Sequence, residues 1–115
     1  MDTQVHRPVD RLAQLEELSP APGRLWNLAA ERLSLGRDQM SDICVDDPTV
    51  SRHHADLVSR GDDWVIVDLA STTGTLVNGL EIHQQVLRNG DRVRVGNSEL
   101  QFSEHSHETA APDKL

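Results

Sequence analysis

Asp63-Trp64-Val65-Ile66-Val67-Asp68, Thr75-Leu76-Val77-Asn78-Gly79-Leu80-Glu81-Ile82 and Arg92-Val93-Arg94-Val95-Gly96-Asn97-Ser98-Glu99-Leu100-Gln101-Phe102 decide the fold. These runs are short, apolar or alternating, and punctuated by Gly and Asn, which tolerate the positive φ of tight turns. Asn78-Gly79 is the strongest hairpin signal in the chain, because a type I′ turn needs positive φ at both central positions. No long stretch carries helical periodicity. Working outward, the same grammar recurs at Arg24–Ala29, Leu33–Arg37, Asp42–Val45 and His54–Ser59, with Arg60-Gly61-Asp62 and Asn89-Gly90 as further turns. Short strands at this spacing predict an all-β fold, a two-sheet antiparallel β-sandwich over residues 23–102 whose loops gather at its ends.

The candidate core is aliphatic: Leu25, Leu33, Leu35, Ile43, Val45, Leu57, Val65, Val67, Leu76, Ile82, Leu87, Val93, Val95 and Leu100. Trp26, Trp64 and Phe102 are the only aromatics, too few for a base-stacking surface or an aromatic cage, and Trp64 is expected to pack on the sandwich. The flanks differ from the body. Residues 1–22 end in Ser19-Pro20-Ala21-Pro22-Gly23, a helix-breaking linker, and residues 103–115 are polar and small, so both are expected to be flexible tails. Val9, Leu12, Leu15 and Leu18 recur every three residues after Pro8, which leaves a short apolar helix as a second reading of the first tail. At that length such a helix is marginal alone.

At 115 residues and 12.8 kDa the chain has room for one domain. Its net charge of −8 is the opposite of what a reader of nucleic-acid phosphates needs. Cys44 is the single cysteine, which excludes an intramolecular disulfide and a Cys-rich zinc cluster. There is no apolar run of membrane-spanning length and no apolar stretch of signal-peptide length at the N-terminus, so a soluble, cytoplasmic protein is expected.

The chemistry lies in the loops. Gly36-Arg37, Ser51-Arg52-His53-His54-Ala55 and Ser71-Thr72-Thr73-Gly74-Thr75 place an arginine, hydroxyls and glycines between strands. A phosphoryl group carries about −1.5 to −2 charges at neutral pH and three acceptor oxygens, so it calls for this set: a fixed guanidinium, hydroxyl donors and free backbone N–H groups. Other constellations carry less. His53 and His54 are strand neighbours whose side chains point to opposite faces and cannot easily share a metal. His105-Ser106-His107 sits in a polar tail, and Ile43-Cys44-Val45 reads as a strand with a small residue at its centre. Asp46-Asp47 and Asp62-Asp63 read as turn residues. No P-loop, His-Glu-x-x-His segment or nucleophile elbow is present.

In order and spacing, the Gly36-Arg37 pair, Ser51-x-x-His54 and Asn78-Gly79 resemble the signature of the forkhead-associated (FHA) domain. The resemblance runs from about Leu25 to Phe102 and includes Asp68-Leu69-Ala70-Ser71, Leu87-Arg88-Asn89-Gly90-Asp91 and Val95-Gly96. It implies a phosphothreonine-binding module without catalysis, an adaptor or regulatory domain in Ser/Thr kinase signalling. Its partner would be a phosphothreonine-containing protein or peptide, with no cofactor, metal, nucleic acid or membrane involved. Carried over, Arg37, Ser51 and Thr72 would contact the phosphate and Arg52 would flank it. Thr73 and Asn78 join them as phosphopeptide-site residues, with Asn78 mostly holding its loop, while Gly36, His54, Gly74 and Gly79 support loops. One departure stands out: Thr73 occupies a position where the family usually has an asparagine that clamps the peptide main chain. A hydroxyl cannot reproduce both hydrogen bonds of an amide. That substitution keeps an alternative in view, a phospho-independent interaction domain that uses an outer face or its tails. Thr3 and Thr109 in the tails add a further possibility, occupation of the pocket by a phosphorylated tail of the same molecule.

Overall fold

Short runs closed by turn residues fold as strands within residues 12–105, the part of the chain described by the computed structural model. In chain order they are β1 (Leu12–Ser19), β2 (Leu25–Asn27), β3 (Arg32–Gly36), β4 (Ile43–Cys44), β5 (Ala55–Arg60), β6 (Asp63–Asp68), β7 (Thr75–Val77), β8 (Leu80–Ile82), β9 (Gln84–Leu87), β10 (Arg92–Val95) and β11 (Ser98–His105). They form two sheets, β2-β1-β11-β10-β7-β8 and β4-β3-β5-β6-β9. Alternate residues of each sheet meet in one core. Leu15, Val77, Val93, Leu100 and Phe102 come from the first sheet and Leu35, Ile43, Leu57, Trp64 and Ile66 from the second. Trp64 and Phe102 lose all exposure, and burial of an aromatic of this kind stabilises by roughly 1.5–3 kcal/mol. The all-β sandwich is therefore as the sequence predicts, and β6, β7, β8 and β10 keep their expected limits.

Four expectations are corrected. First, residues 12–19 are neither a loose tail nor a helix: β1 pairs with β11 from Leu12↔His105 to Ser19↔Glu99, and with β2. The three-residue recurrence of leucines hid a period of two through Ala13, Leu15 and Glu17, all buried. Pairing along β1 also carries β11 to His105, so residues 103–105 belong to the sheet as well. The expectations for residues 1–11 and 106–115 lie outside the described residues. Second, β9 was not foreseen, because Gln84-Gln85 has little strand propensity and the strand is made by pairing with β6.

Third, the sandwich is not wholly antiparallel. β4 runs parallel to β3 (Leu35↔Ile43, Gly36↔Cys44). The Asp42 carboxylate accepts from the Ser34 N–H at 2.9 Å and from its hydroxyl, which draws the returning chain alongside β3 before it re-enters the sheet. Fourth, several core residues differ. Leu25 is 52 % exposed on β2, Leu76 and Val67 are only half-buried, and Val65 is buried but stands apart from the core cluster. In β6 every residue from Trp64 to Val67 is apolar, so alternation alone could not say which side faces in. Trp64 and Ile66 do.

Candidate functional site at one end of the sandwich

Three loops, residues 37–42, 45–54 and 69–74, meet the β10–β11 turn at one end of the sandwich. Gly36 makes their contact possible. A Cβ at this position would stand 1.9 Å from the Arg52 carbonyl oxygen, so only glycine lets the 51–52 backbone lie against the end of β3. That approach is stitched by the Arg37 N–H to the Ser51 carbonyl at 3.0 Å and by the Asp38 N–H to the Arg52 carbonyl at 3.4 Å. Arg37 Nε then donates to the Val50 carbonyl at 2.9 Å. One of the five N–H donors of the guanidinium is thereby spent on holding it still, and among the described residues its terminal amino groups have no partner.

His54, fully buried, joins the second loop to the third. Its Nδ1 accepts from the Ser51 N–H at 3.1 Å, which assigns the proton to Nε2 and makes that nitrogen the donor to the Gly74 carbonyl at 2.9 Å. The Ser51 hydroxyl oxygen accepts from the Thr72 N–H at 2.9 Å, so the hydroxyl's own proton is left to be donated elsewhere. The third loop is closed by Asp68, whose Oδ1 accepts from the hydroxyls of Ser71 at 2.6 Å and Thr75 at 2.7 Å. Ser71 in turn accepts from the Gly74 N–H at 3.0 Å. Burial pushes the Asp68 carboxyl up. The donors from Ser71 and Thr75 outweigh that and hold it below the ordinary carboxylate range.

Asp47 is the residue that sequence reasoning missed. Read as a turn residue, it is only 6 % exposed, and its Oδ1 accepts from the Thr49 N–H at 2.9 Å and the Thr49 hydroxyl at 2.7 Å. Its Oδ2 accepts from the Ser98 hydroxyl at 2.7 Å, on the other sheet. Thr49 extends the link by accepting from the Asn97 N–H at 2.8 Å. Burial raises this carboxyl too, but the donors from Thr49, Ser98 and Asn97 hold it below the ordinary range. No local pattern announces a partner so far along the chain. The Asp-x-Thr spacing was the only available signal.

Between the loops lies a shallow cleft of about 190 Å³ lined by Arg37, Pro48, Thr49, Val50, Ser51, Thr72 and Thr73. The structure thus brings Arg37, Ser51, Thr72 and Thr73 together, with Arg37 the only charge on the lining. The Thr73 hydroxyl donates to the Thr49 carbonyl at 3.3 Å, a link across the cleft. Arg52 is exposed and is not among the lining residues. Gly36, His54 and Gly74 hold the loops. Asn78 and Gly79 are elsewhere: the β7–β8 turn lies at the opposite end, where the Asn78 amide donates to Asp91 and accepts from the Arg92 N–H, both at 3.0 Å. A cleft with one fixed guanidinium, hydroxyl donors and no general acid or base beside them is suited to holding an oxyanion.

Comparison with known proteins agrees with this geometry. The sequence profile of the FHA domain matches residues 33–96. The chain is 40% identical over 89 residues to the oxoglutarate dehydrogenase inhibitor of Corynebacterium jeikeium, covering 77% of this chain and 62% of that protein. It is 41% identical over 83 residues to the glycogen accumulation regulator GarA of Mycolicibacterium smegmatis, covering 72% and 52%. The chain therefore spans between half and two thirds of the length of these curated relatives. Among solved structures, one from a structural and functional study of phosphothreonine-dependent FHA domain interactions superposes with a TM-score of 0.77 at 31% identity. That match covers 82% of this chain and 97% of the other.

Proposed function

The chain belongs to the FHA domain family, and from that premise we propose that it is a phosphothreonine-dependent binding module, an adaptor or regulator in Ser/Thr kinase signalling that works in the cytoplasm and by binding alone. The observation that carries this reading is the state of Arg37. Its Nε is tied to the Val50 carbonyl, its terminal amino groups have no partner among the described residues, and it lines the cleft together with Ser51. A phosphate entering there replaces water on a guanidinium already held in place, so little side-chain entropy is lost on binding. Relatives named for inhibition and regulation support a binding role, and a solved neighbour studied for phosphothreonine-dependent interactions supports the ligand.

Fluorescence anisotropy with a degenerate phosphothreonine peptide pool, beside its phosphoserine and unphosphorylated counterparts, tests the reading. Arg37→Ala is expected to weaken phosphothreonine binding by about 10- to 100-fold, the worth of a charge-assisted contact of roughly 1.5–3 kcal/mol. A change below about twofold would sink it. Thr73 favours a second reading, because its hydroxyl is turned to Thr49 where the family's asparagine holds the peptide. On that reading a partner binds as well after phosphatase treatment as before.

A further inference from the structure

The five-stranded sheet has a second face, turned away from the core. On it three valines stand side by side in register, Val58 of β5 opposite Val65 of β6 and Val65 opposite Val86 of β9. None belongs to the interior cluster. Among the described residues β9 is the last strand of this sheet, so part of its backbone N–H and C=O groups point outward, the Val86 carbonyl accepting from the Gln85 side-chain amide at 3.4 Å. Edges are commonly guarded by lysine, proline or a bulge, and Gln84-Gln85-Val86-Leu87 has neither lysine nor proline. Beside the valines, a cleft of about 490 Å³ is rimmed by Arg60, Asp63 and Arg88 and also lined by Val65 and Val86. Arg60 and Arg88 are exposed, and among the described residues neither is in an ion pair, whereas Arg32 is paired with Asp56 and Arg92 with Glu99. In a chain of net charge −8, the lining of this cleft holds two guanidiniums and one carboxylate, Asp63, with Asp62 and Asp91 on the adjoining turns outside the lining.

We propose that this face docks an extended acidic segment of a protein partner, laid along β9 as an added strand with its carboxylates on Arg60 and Arg88. Main-chain bonds to the open edge would supply affinity, an alternate side chain would rest beside the half-buried Val86, and the arginines would choose the sign of charge. A basic segment meets repulsion at the rim, and a second copy set edge to edge brings its own Arg60 and Arg88 to the same contact. The strand begins at the cleft end, where Gln84 opposes Val67 and the Asp68 N–H reaches the His83 carbonyl, and it finishes at Leu87, next to Arg88. A partner holding a phosphothreonine in the cleft therefore has a second track leading away from it, although docking on β9 does not itself require phosphate.

NMR titration of the labelled chain with the peptide acetyl-Asp-Val-Glu-Val-Asp-Glu-amide tests this, beside a counterpart with lysine at every acidic position. The acidic peptide is expected to shift the amides of Gln84–Leu87 saturably and the lysine peptide to leave them in place. The double variant Arg60→Glu/Arg88→Glu is expected to weaken the acidic peptide by at least about tenfold. A phosphothreonine peptide added to the same samples reads the other site through the amides of Ser51 and Thr72, so failure there leaves the β9 result standing. The proposal is overturned if the acidic peptide leaves β9 unmoved at millimolar concentration, if charge reversal changes nothing, or if the lysine peptide acts alike. It is also overturned if the β9 signals depend on protein concentration without peptide, which would make a second copy the occupant.

Discussion

At the cleft end a Cβ on Gly36 would stand 1.9 Å from the Arg52 carbonyl oxygen, and one on Gly96 would stand 2.4 Å from the Thr49 hydroxyl. At the other end Gly61, Gly79 and Gly90 have no atom within 4 Å of that point. Both ends also use an aspartate to tie elements together. Asp91, partly exposed, accepts from the Arg88 N–H and the Asn78 amide, whereas Asp47 is buried and spans the two sheets. The far end is therefore a set of turns joined through exposed bonds such as Asn78 to Asp91, with open space at each glycine, while the cleft end is a packed joint. The Gly61 turn at the far end can take a larger side chain without moving its neighbours. A loop at the cleft end cannot, and this fixes the position of Arg37 before any ligand arrives.

Gly36→Ala should break the joint most severely. We expect a loss of about 3 kcal/mol, the upper range for overpacking, together with loss of phosphopeptide binding. Asp47→Ala comes next, at about 2 kcal/mol, because the Thr49 and Ser98 hydroxyls are left without their acceptor. Its pH dependence sharpens the point. The Asp47 carboxyl is lowered from its ordinary value of 3.8, so the stability it contributes is fully present above that value and is lost as pH falls through its folded value. The gap between wild type and Asp47→Ala should hold steady from neutral pH down to about 4 and narrow below it. A gap that widens on acidification would contradict the assignment.

Gly61→Ala, at the open end, meets no atom and pays only for its positive φ of 59°, about 1 kcal/mol, with phosphopeptide affinity unchanged. Urea midpoints at equal m-values measure these differences. If Gly36→Ala costs no more than Gly61→Ala, the contrast between packed and open ends is wrong. The smallest effect is a gain. Ala70 holds φ at 55° in the third cleft loop, and Ala70→Gly should stabilise by about 0.5 kcal/mol, relief of strain outweighing added chain entropy.

What the sequence made legible follows from where each signal sits. β6, β7, β8 and β10 are bracketed by turn residues next to them in the chain, so their limits could be read locally. β1 could not, because Leu12, Leu15 and Leu18 satisfy a helical spacing and only the long β11 edge decides for a strand. β9 was hidden for the same reason: two glutamines become a strand through β6. In the cleft, Arg37, Ser51 and Thr72 were legible because each lies in a short motif. Asn78 belongs to the same family signature yet stands at the opposite end, since order along the chain says nothing about which end of a three-residue strand a turn occupies. Asp47 was illegible as an anchor because Ser98, its partner on the other sheet, is non-local.

Leu12 and His105 face each other across β1 and β11, and they do so at the end away from the cleft, since Ser98 at the start of β11 is the residue tied to Asp47. In polymer terms the module is held by a two-ply tether at its rear. A flanking segment of the same molecule must retrace about 23 Å of strand to arrive at the cleft.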